Sequence, residues 1–457
     1  MSVLSAVFWG LLVLSVLVFV HEGGHYLAAR ACGMRVTEFF LGMPCRLKLS
    51  HRSRTVGTEV GVTPILLGGY TRICGMEGTQ DELLAPALAL VMERGRVRVA
   101  DIAEELGVDE DRACMLLATL SDWASVEPFF DPELGERPNQ RTYPQQFQTV
   151  ARDANLLTEY DRGHDLSLPG STAAGEPHPL QVAPEEFLEA ERSHTYLGGG
   201  FLKRFATLFA GPLVNVLLAL GIVVACLMAR GVAVPSDQNV LGGVREGSVA
   251  EAAGLLAGDR VTDVAGTPVS DWSGLSAALG QRLADGSDFD VTVERDGSPL
   301  TLRVDLPEGQ APDAVGVLSA VETYHPTLPQ AAGAAVDYAG QAATFAFRLL
   351  MPQHTMEVLD QSTSIAGISA MAAQAASAGL FELVMFAGAI SMSLGFMNLL
   401  PVPPLDGGKI LVEVVQLVIR RPLSQRVQDF LGYLGLAFIL FVFVMALKND
   451  VLHFVIG

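Results

Sequence analysis

The sequence predicts a polytopic α-helical membrane protein with four transmembrane helices. Half of its 457 residues are hydrophobic and only 18% are charged, a small share for a soluble protein of this length. The hydrophobic residues concentrate in four runs that contain no charged side chain, at residues 1–20, 205–229, 383–405 and 430–447. Each run is roughly long enough to cross a hydrocarbon core about 30 Å thick. The rest of the chain has room for modules outside the membrane.

The first run leads directly into His21 and Glu22, with no basic segment before it and no convincing cleavage site after it. These features favour a retained anchor over a cleaved secretory signal. We therefore predict membrane segments at residues 1–30, 201–230, 381–408 and 430–450, with a cytoplasmic loop at 409–429.

The distribution of lysine and arginine predicts the orientation. These residues cluster after the first run, before the second and after the third, whereas the N-terminus has none. Because they accumulate in short cytoplasmic loops, we expect these three flanks to be cytoplasmic. The N-terminus and residues 231–380 are then extracytoplasmic.

The motif HEGGH at residues 21–25 predicts a metal site. On a helix His21 and His25 share one face, so both imidazoles reach one ion while Glu22 projects beside them. A catalytic zinc keeps three protein ligands and a water, from which Glu22 would take a proton. A chance occurrence of the motif is the alternative. Its place at the end of a charge-free run favours function, because ionisable side chains at membrane depth are costly.

Asp406 is the candidate for a third ligand. It closes the third run after three prolines between residues 401 and 404, which cannot continue a regular helix. Irregular backbone at membrane depth is tolerated only where it is buried in protein or lines a wet cavity. Gly407 and Gly408 let the chain turn tightly here. A plain helix end at the membrane interface is the alternative interpretation.

Depth in the membrane favours the ligand interpretation. The first and third runs both enter from outside, and both His21 and Asp406 come late in their runs. At 1.5 Å per residue, both positions fall about 27–35 Å along the span, near the cytoplasmic side. Two residues that bind the same ion must lie at the same depth in the membrane, as these two do.

HEGGH on a first span together with NxxPxxxLDG at residues 398–407 resembles the site-2 protease family of intramembrane metalloproteases. GPLVN at 211–215 resembles the Gly-Pro-x-x-Asn element of that family, and residues 64–70 resemble the tip of its re-entrant β-hairpin. The resemblance implies one zinc ion per chain, bound by His21, His25 and Asp406, with Glu22 as the catalytic residue.

The resemblance also implies where the protein acts and on what. The resemblance is to the bacterial regulator-of-sigma-E protease type, and it implies a multi-pass protein of the inner membrane. The substrates would be single-span membrane proteins, such as anti-sigma factors or signal-peptide remnants. Which substrate applies is not evident from the sequence.

The region 31–76 is expected to hold the membrane-associated β-hairpin. Its residues 57–74 include β-branched and apolar residues broken by glycines, a pattern that predicts a short hairpin. Gly68, Gly69 and Tyr70 at its tip are candidates for holding an unwound substrate strand by β-augmentation. Asn215 and Asn398 are candidates for side-chain contacts to the extended substrate backbone. For both asparagines, an interhelical hydrogen bond that only stabilises the bundle is the alternative.

The external residues 231–310 resemble one PDZ domain of the bacterial type, with Asp296-Gly297 as a hairpin turn. Such a domain would recognise a freshly cut terminus, exclude substrates by size, or be purely structural. Residues 311–380 are predicted to form an amphipathic segment near the outer surface.

The cytoplasmic insertion, residues 77–200, has 24 acidic residues against nine arginines and no lysine, and so supplies −15 of the net charge of −20. Its periodicity near 83–130 suggests a winged-helix-like module. Residues 128–194 are rich in Pro, Gly and Glu, which predicts loop or disorder. Its acidity excludes nucleic acid as the expected partner, because duplex binding requires neutralised phosphates. A cytoplasmic protein partner is the expectation.

Two other function classes fit part of this pattern. A transporter would carry intramembrane His and Asp, but it needs neither a glutamate between two histidines nor a PDZ domain. A catalytically idle relative acting as a scaffold would have lost Glu22 or a ligand, and all four residues are present.

Overall fold

The computed structural model describes residues 3–66, 68–76, 81–138, 144–161, 163–307, 314–421 and 423–452. The chain divides into two compact units, Met1–Val223 with Ala335–Gly457, and Val224–Ala334. Leu67 of the expected hairpin tip and the first four residues of the insertion lie outside the described residues.

The N-terminal part is one long helix followed by a four-stranded sheet. Its elements are α1 (Val3–Ala31), β1 (Val36–Leu41), β2 (Leu49–Arg52), β3 (Glu59–Val62) and β4 (Gly69–Ile73). The strand order is β2-β3-β1-β4, with β1 parallel to β3 and antiparallel to β4. The prediction of a simple hairpin within 57–74 was wrong, because β3 and β4 lie on opposite sides of β1. This central strand buries Val36 and Phe40 completely.

The insertion contains three helices, a three-stranded antiparallel sheet and a further helix. Its elements are α2 (Leu84–Arg94), β5 (Arg96–Arg98), α3 (Val99–Leu106), α4 (Glu110–Asp122), β6 (Val126–Phe129), β7 (Gln146–Thr149) and α5 (Pro184–Ser193). The strand order is β5-β7-β6. Leu88, Ile102, Leu117 and Phe147 belong to one hydrophobic core between these elements, and Phe187 of α5 joins it.

The prediction that residues 128–194 are loop or disorder was therefore wrong in part. Besides β7 and α5, this stretch contributes to a buried ion cluster. Arg35 Nη1 lies 2.9 Å from Glu191 Oε2, Arg35 Nε lies 3.1 Å from Asp161 Oδ1, and Arg152 Nη1 lies 3.1 Å from Glu191 Oε1. Burial opposes ionisation of Glu191, but the charges of Arg152 and Arg35 outweigh it and hold the pKa of this carboxyl well below its usual range. Such buried pairs order a segment whose composition alone suggests a loop.

A second long helix connects the insertion to the second unit. It is α6 (Phe201–Arg230), and it is followed by β8 (Val232–Pro235), β9 (Leu241–Val244), α7 (Val249–Ala252), β10 (Arg260–Val264), β11 (Thr267–Pro268), α8 (Trp272–Asp285), β12 (Phe289–Arg295), β13 (Ser298–Val304), β14 (Val317–Ser319) and β15 (Val321–Tyr324).

The second unit is built around a sheet of order β11-β10-β12-β13. Asp296 and Gly297, both with positive φ, connect β12 to β13, as the hairpin turn predicted. The predicted boundary at residue 310 is too early. β14 pairs with β9 and β15 pairs with β8, so these two strands after residue 310 still belong to the second unit.

The C-terminal part is helical. Its helices are α9 (Leu328–Arg348), α10 (Pro352–Asp360), α11 (Ile365–Ala378), α12 (Leu380–Asn398), α13 (Asp406–Ile419) and α14 (Gln425–Val451). Residues 311–380, expected as one amphipathic segment, thus contain two strands and three helices. The third membrane region, expected at 381–408, stops being helical at Asn398, and a new helix begins at Asp406.

Four helices within the described residues are long and apolar enough to cross a membrane: Val3–Ala31, Phe201–Arg230, Leu380–Asn398 and Arg426–Val451. They correspond to the four apolar runs of the sequence. The 21-residue helix α9 is not one of them.

Candidate metal centre and active-site cavity

Three predicted site residues lie together in the first unit. His21 and His25 are one turn apart on α1, and Asp406 is the first residue of α13. His21 Nε2 lies 3.1 Å from Asp406 Oδ2, His25 Nε2 lies 3.3 Å from the same oxygen, and the two Nε2 atoms are 3.2 Å apart. Both histidines are buried. Among the described residues these three form a group able to hold a metal ion.

The separations of these atoms fit zinc. Ligand atoms on a tetrahedral zinc with bonds of about 2.0–2.1 Å lie about 3.3 Å from one another. Here the three ligand atoms form a nearly equilateral triangle with edges of 3.1, 3.2 and 3.3 Å. Two imidazole nitrogens and one carboxylate oxygen are also the donor types that zinc accepts in catalytic sites.

The opposite nitrogen of His25 supports the same arrangement. His25 Nδ1 lies 2.7 Å from the main-chain oxygen of Thr207 on α6. A carbonyl oxygen only accepts, so Nδ1 carries the proton, and in the neutral ring Nε2 presents its lone pair. The lone pair then faces Asp406 and His21, as a metal ligand requires.

Asn215, on α6, lies on the far side of His21. Its Nδ2 is 3.4 Å from His21 Nδ1, and its Oδ1 has no hydrogen-bond partner in the part of the chain that the structure describes. The two orientations of an amide are assigned from hydrogen bonding alone. With the amide rotated by 180°, Oδ1 accepts a hydrogen bond from His21 Nδ1–H, which leaves the His21 Nε2 lone pair free.

Glu22 lies in a cavity of about 290 Å³ beside this group. The cavity is lined by Val18, His21, Glu22, Asn215, Leu394, Asn398, Pro404, Leu405, Asp406 and Lys409. The main-chain oxygen of Glu22 accepts a hydrogen bond of 3.0 Å from Thr71 Oγ1, so α1 is tied to β4 at this position. One general-base candidate and two of the three metal-ligand candidates, His21 and Asp406, therefore border one cavity.

Glycines allow α1 and α6 to pack closely around His25. A Cβ at Gly24 would come within 2.6 Å of the Ala210 carbonyl oxygen. A Cβ at Gly211 would overlap the His25 ring at Nε2. The Gly-Pro-x-x-Asn element thus provides both the space for His25 and the neighbour of His21.

Comparison with known proteins decides the family. The sequence model described as Peptidase family M50 matches residues 9–442. The chain belongs to peptidase family M50, the site-2 protease family. It is 25% identical over 448 residues to the regulator of sigma-W protease RasP of Bacillus subtilis, covering 96% of this chain and 97% of the relative. It is 27% identical over 447 residues to the zinc metalloprotease RasP of Shouchella clausii, with coverage of 96% and 97%.

This M50 chain is accordingly a membrane metalloprotease, and zinc is its expected cofactor. The family match and the four apolar helices together fit a multi-pass membrane protein. The described residues supply donors that suit this metal, as the triangle of His21, His25 and Asp406 shows.

The remaining predicted site residues of the M50 chain differ in their distance from the cavity. Asn398 lines the cavity. A Cβ at Gly69 would lie 3.6 Å from Glu22 Cγ, and one at Gly68 would lie 3.9 Å from Val18, so both glycines are close to the cavity. Tyr70 does not line it. Its hydroxyl donates to Glu38 at 2.7 Å, and its ring stacks on Phe40.

Two residues beside the metal-ligand candidates were not predicted from the sequence. Thr207 acts through its main-chain carbonyl, for which a side-chain pattern gives no signal. Lys409 lines the cavity three residues after Asp406. Its position directly after the LDGG sequence, one helical turn from Asp406, is the signal that would have indicated it.

Proposed function

We propose that this protein is a zinc-dependent intramembrane endopeptidase that cleaves transmembrane segments of single-span membrane proteins. In this proposal His21, His25 and Asp406 hold the zinc and Glu22 is the general base. The observation that carries it is the 3.1–3.3 Å triangle of ligand atoms from α1 and α13. Two of its residues, His21 and Asp406, line the same cavity as Glu22.

When bound, zinc would supply Lewis-acid polarisation of the scissile carbonyl and lower the pKa of a water. Glu22 accepts the proton of the attacking water and then donates it to the leaving amine. The Thr207 carbonyl fixes the orientation of His25, and the Asn215 amide does the same for His21. Asn398 lines the cavity, and in this proposal its side-chain amide donates a hydrogen bond to the substrate backbone.

A substrate helix must unwind before its amide is exposed to attack, and the sheet offers a place for the unwound strand. β4 is an edge strand of the order β2-β3-β1-β4, and Thr71 of β4 contacts Glu22. We infer that the extended substrate adds to this edge by β-augmentation. Gly68 and Gly69 keep side chains away from the approach, while Tyr70 contributes through its backbone, since its hydroxyl is bound to Glu38.

The second unit and the insertion are assigned roles outside the chemistry. We infer that the second unit is an extracytoplasmic PDZ domain that recognises cut termini or filters substrates by size. We infer that the insertion is a winged-helix-like module that binds a cytoplasmic protein. The helix and strand order of α2, β5, α3, α4, β6 and β7 supports this, and the net charge of −15 argues against nucleic acid.

The proposed setting is the bacterial inner membrane, with the N-terminus extracytoplasmic. The lysine and arginine distribution supports this orientation. One relative is named a regulator of sigma-W protease, which supports anti-sigma factors as a substrate class. Remnant signal peptides are a second class with the same single-span chemistry.

The test compares wild type with Glu22→Gln, both purified at full length, on a model single-span substrate. Glutamine keeps the shape of the side chain but does not accept a proton. We expect Glu22→Gln to bind zinc as wild type does and to cleave at least about 10²-fold more slowly. Equal cleavage by both proteins would remove Glu22 from the mechanism.

A further inference from the structure

A buried carboxylate lies on the helix that begins with Asp406. Glu413 is seven residues, about two turns, further along α13, so it lies on nearly the same face as Asp406. It is only 8% exposed. A carboxylate in such surroundings is costly unless charged or hydrogen-bonding partners compensate it.

Two partners compensate Glu413. Arg204 Nε on α6 lies 3.0 Å from Glu413 Oε2, and the Tyr196 hydroxyl donates to Glu413 Oε1 at 3.1 Å. Neither Arg204 Nε nor Glu413 Oε2 makes an aligned hydrogen bond within the described residues, so their contact is mainly electrostatic. Tyr196 is itself buried, at 5% exposure.

Arg204 belongs to a helix that borders the metal centre, and Tyr196 is hydrogen-bonded to the end of a strand that does. Arg204 is one helical turn before Thr207, whose carbonyl accepts from His25. The main-chain nitrogen of Tyr196 donates to the Cys74 carbonyl at 2.8 Å, immediately after β4. Glu413 therefore connects α13 to the turn of α6 that orients His25 and to the end of the strand beside Glu22.

The position of α13 needs such a connection. This helix starts after a turn that contains three prolines. Gly407 packs on the backbone of Leu399 and Leu400, and Gly408 packs on that of Val402 and Pro403. These contacts hold only its first turn. A fixed point two turns later restricts the tilt of the helix, and the tilt determines where the Asp406 carboxylate lies relative to His21 and His25.

We propose that Glu413 is a positioning residue, which acts through Arg204 and Tyr196 to hold the Asp406 carboxylate at the metal centre. This inference rests on the proposed function, because it takes Asp406 as a metal ligand. A hydrophobic residue of similar volume would pack at this position without the cost of burying a charge. The buried pair defines the register between α13 and α6, which a hydrophobic contact defines less strictly.

The test measures zinc affinity by chelator competition, together with kcat and KM for a model substrate, on the full-length protein. Glu413→Gln and Arg204→Gln are each expected to weaken zinc binding about 10-fold, in the range found for outer-shell partners of metal ligands. The double variant is expected to be no weaker than either single variant, since both remove one interaction. Glu104→Gln, at an exposed position of the insertion, is the matched control for loss of one carboxylate and should bind as wild type does.

Tyr196→Phe keeps the test decisive if Glu413→Gln does not fold. It removes a single hydrogen bond and is expected to weaken zinc binding a few-fold, with kcat reduced and KM little changed. A folded Glu413→Gln variant, or failing that a Tyr196→Phe variant, with wild-type zinc affinity and kcat would overturn the proposal. His25→Ala tests the proposed metal site separately from the positioning role of Glu413. If this variant retains zinc, the proposed metal site is wrong, whatever the Glu413 variants show.

Discussion

Gly211 of α6 lies directly against the imidazole of His25, so that even one methyl group at residue 211 would overlap the ring at Nε2. The same helix accepts a hydrogen bond from the other side of that ring, through the Thr207 carbonyl at 2.7 Å. Helix α6 thus fixes both the orientation of His25 and the nitrogen that is left free. The chemistry of a motif on α1 depends in this way on the backbone of a helix almost 200 residues later.

We predict that Gly211→Ala abolishes most zinc binding and cleavage, because the added methyl displaces the His25 ring. In a helix with open surroundings the same change is favourable by up to about 1 kcal/mol. Gly221 is the matched control, since it lies on the same helix and a Cβ there would meet nothing within 4 Å. Zinc content and cleavage of both variants check the prediction, and an active Gly211→Ala enzyme would contradict this close packing.

The two asparagines of the cavity are predicted to fail in different ways. Asn215 faces His21, so Asn215→Ala is expected to weaken zinc binding about 10–100-fold. Asn398 lines the cavity, and no hydrogen bond joins it to a ligand candidate within the described residues, so Asn398→Ala is expected to keep zinc and to lower kcat/KM. Zinc affinity and cleavage kinetics measured on both variants distinguish the two roles. Identical behaviour of the two variants would show that this division is wrong.

Glu191 is predicted to be essential for the stability of the insertion. Glu191→Gln leaves the buried guanidinium groups of Arg35 and Arg152 short of one negative charge, at an expected cost of about 3–5 kcal/mol. Glu189→Gln on the same helix is the control, because the Glu189 side chain is 72% exposed and its ion pair contributes little. Hydrogen exchange of the insertion measures both. A Glu191→Gln change below about 1 kcal/mol would contradict the ion cluster.

The same carboxyl predicts a pH dependence. The pKa of Glu191 is lowered in the folded state, from an ordinary value of about 4.3. The unfolded state therefore binds a proton more readily, so this stabilisation is fully present above the ordinary pKa and is lost as the pH falls below it. We expect the insertion to lose stability below about pH 4, and the loss to be smaller in Glu191→Gln. Exchange rates at several pH values check the sign.

Much of the site was predictable because its signals are local in sequence. HEGGH fixes the spacing of His21 and His25 on one helix face, and three prolines within four residues before Asp406 interrupt a regular helix. The helix indeed stops at Asn398 and restarts at Asp406. The triangle of ligand candidates follows from these two signals and a matching depth.

The parts that were missed depend on contacts between distant segments. β1 separates two strands that look like a hairpin, and nothing local in residues 57–74 indicates a strand at 36–41. Glu191 lies in a segment rich in proline, glycine and glutamate, and only its distant partners Arg35 and Arg152 make it a buried residue. Thr207 contacts His25 through its main-chain carbonyl. Because every residue has this group, the sequence carries no signal for the contact.

The most direct test of the central claim is the zinc content of purified wild type, Glu22→Gln and Asp406→Ala, with cleavage of a model single-span substrate measured on the same samples. The ligand triangle predicts one zinc per chain in wild type and in Glu22→Gln, little or none in Asp406→Ala, and cleavage by wild type alone. Wild-type zinc content in a folded Asp406→Ala protein would contradict the assignment of the third ligand and, with it, the proposed metal centre.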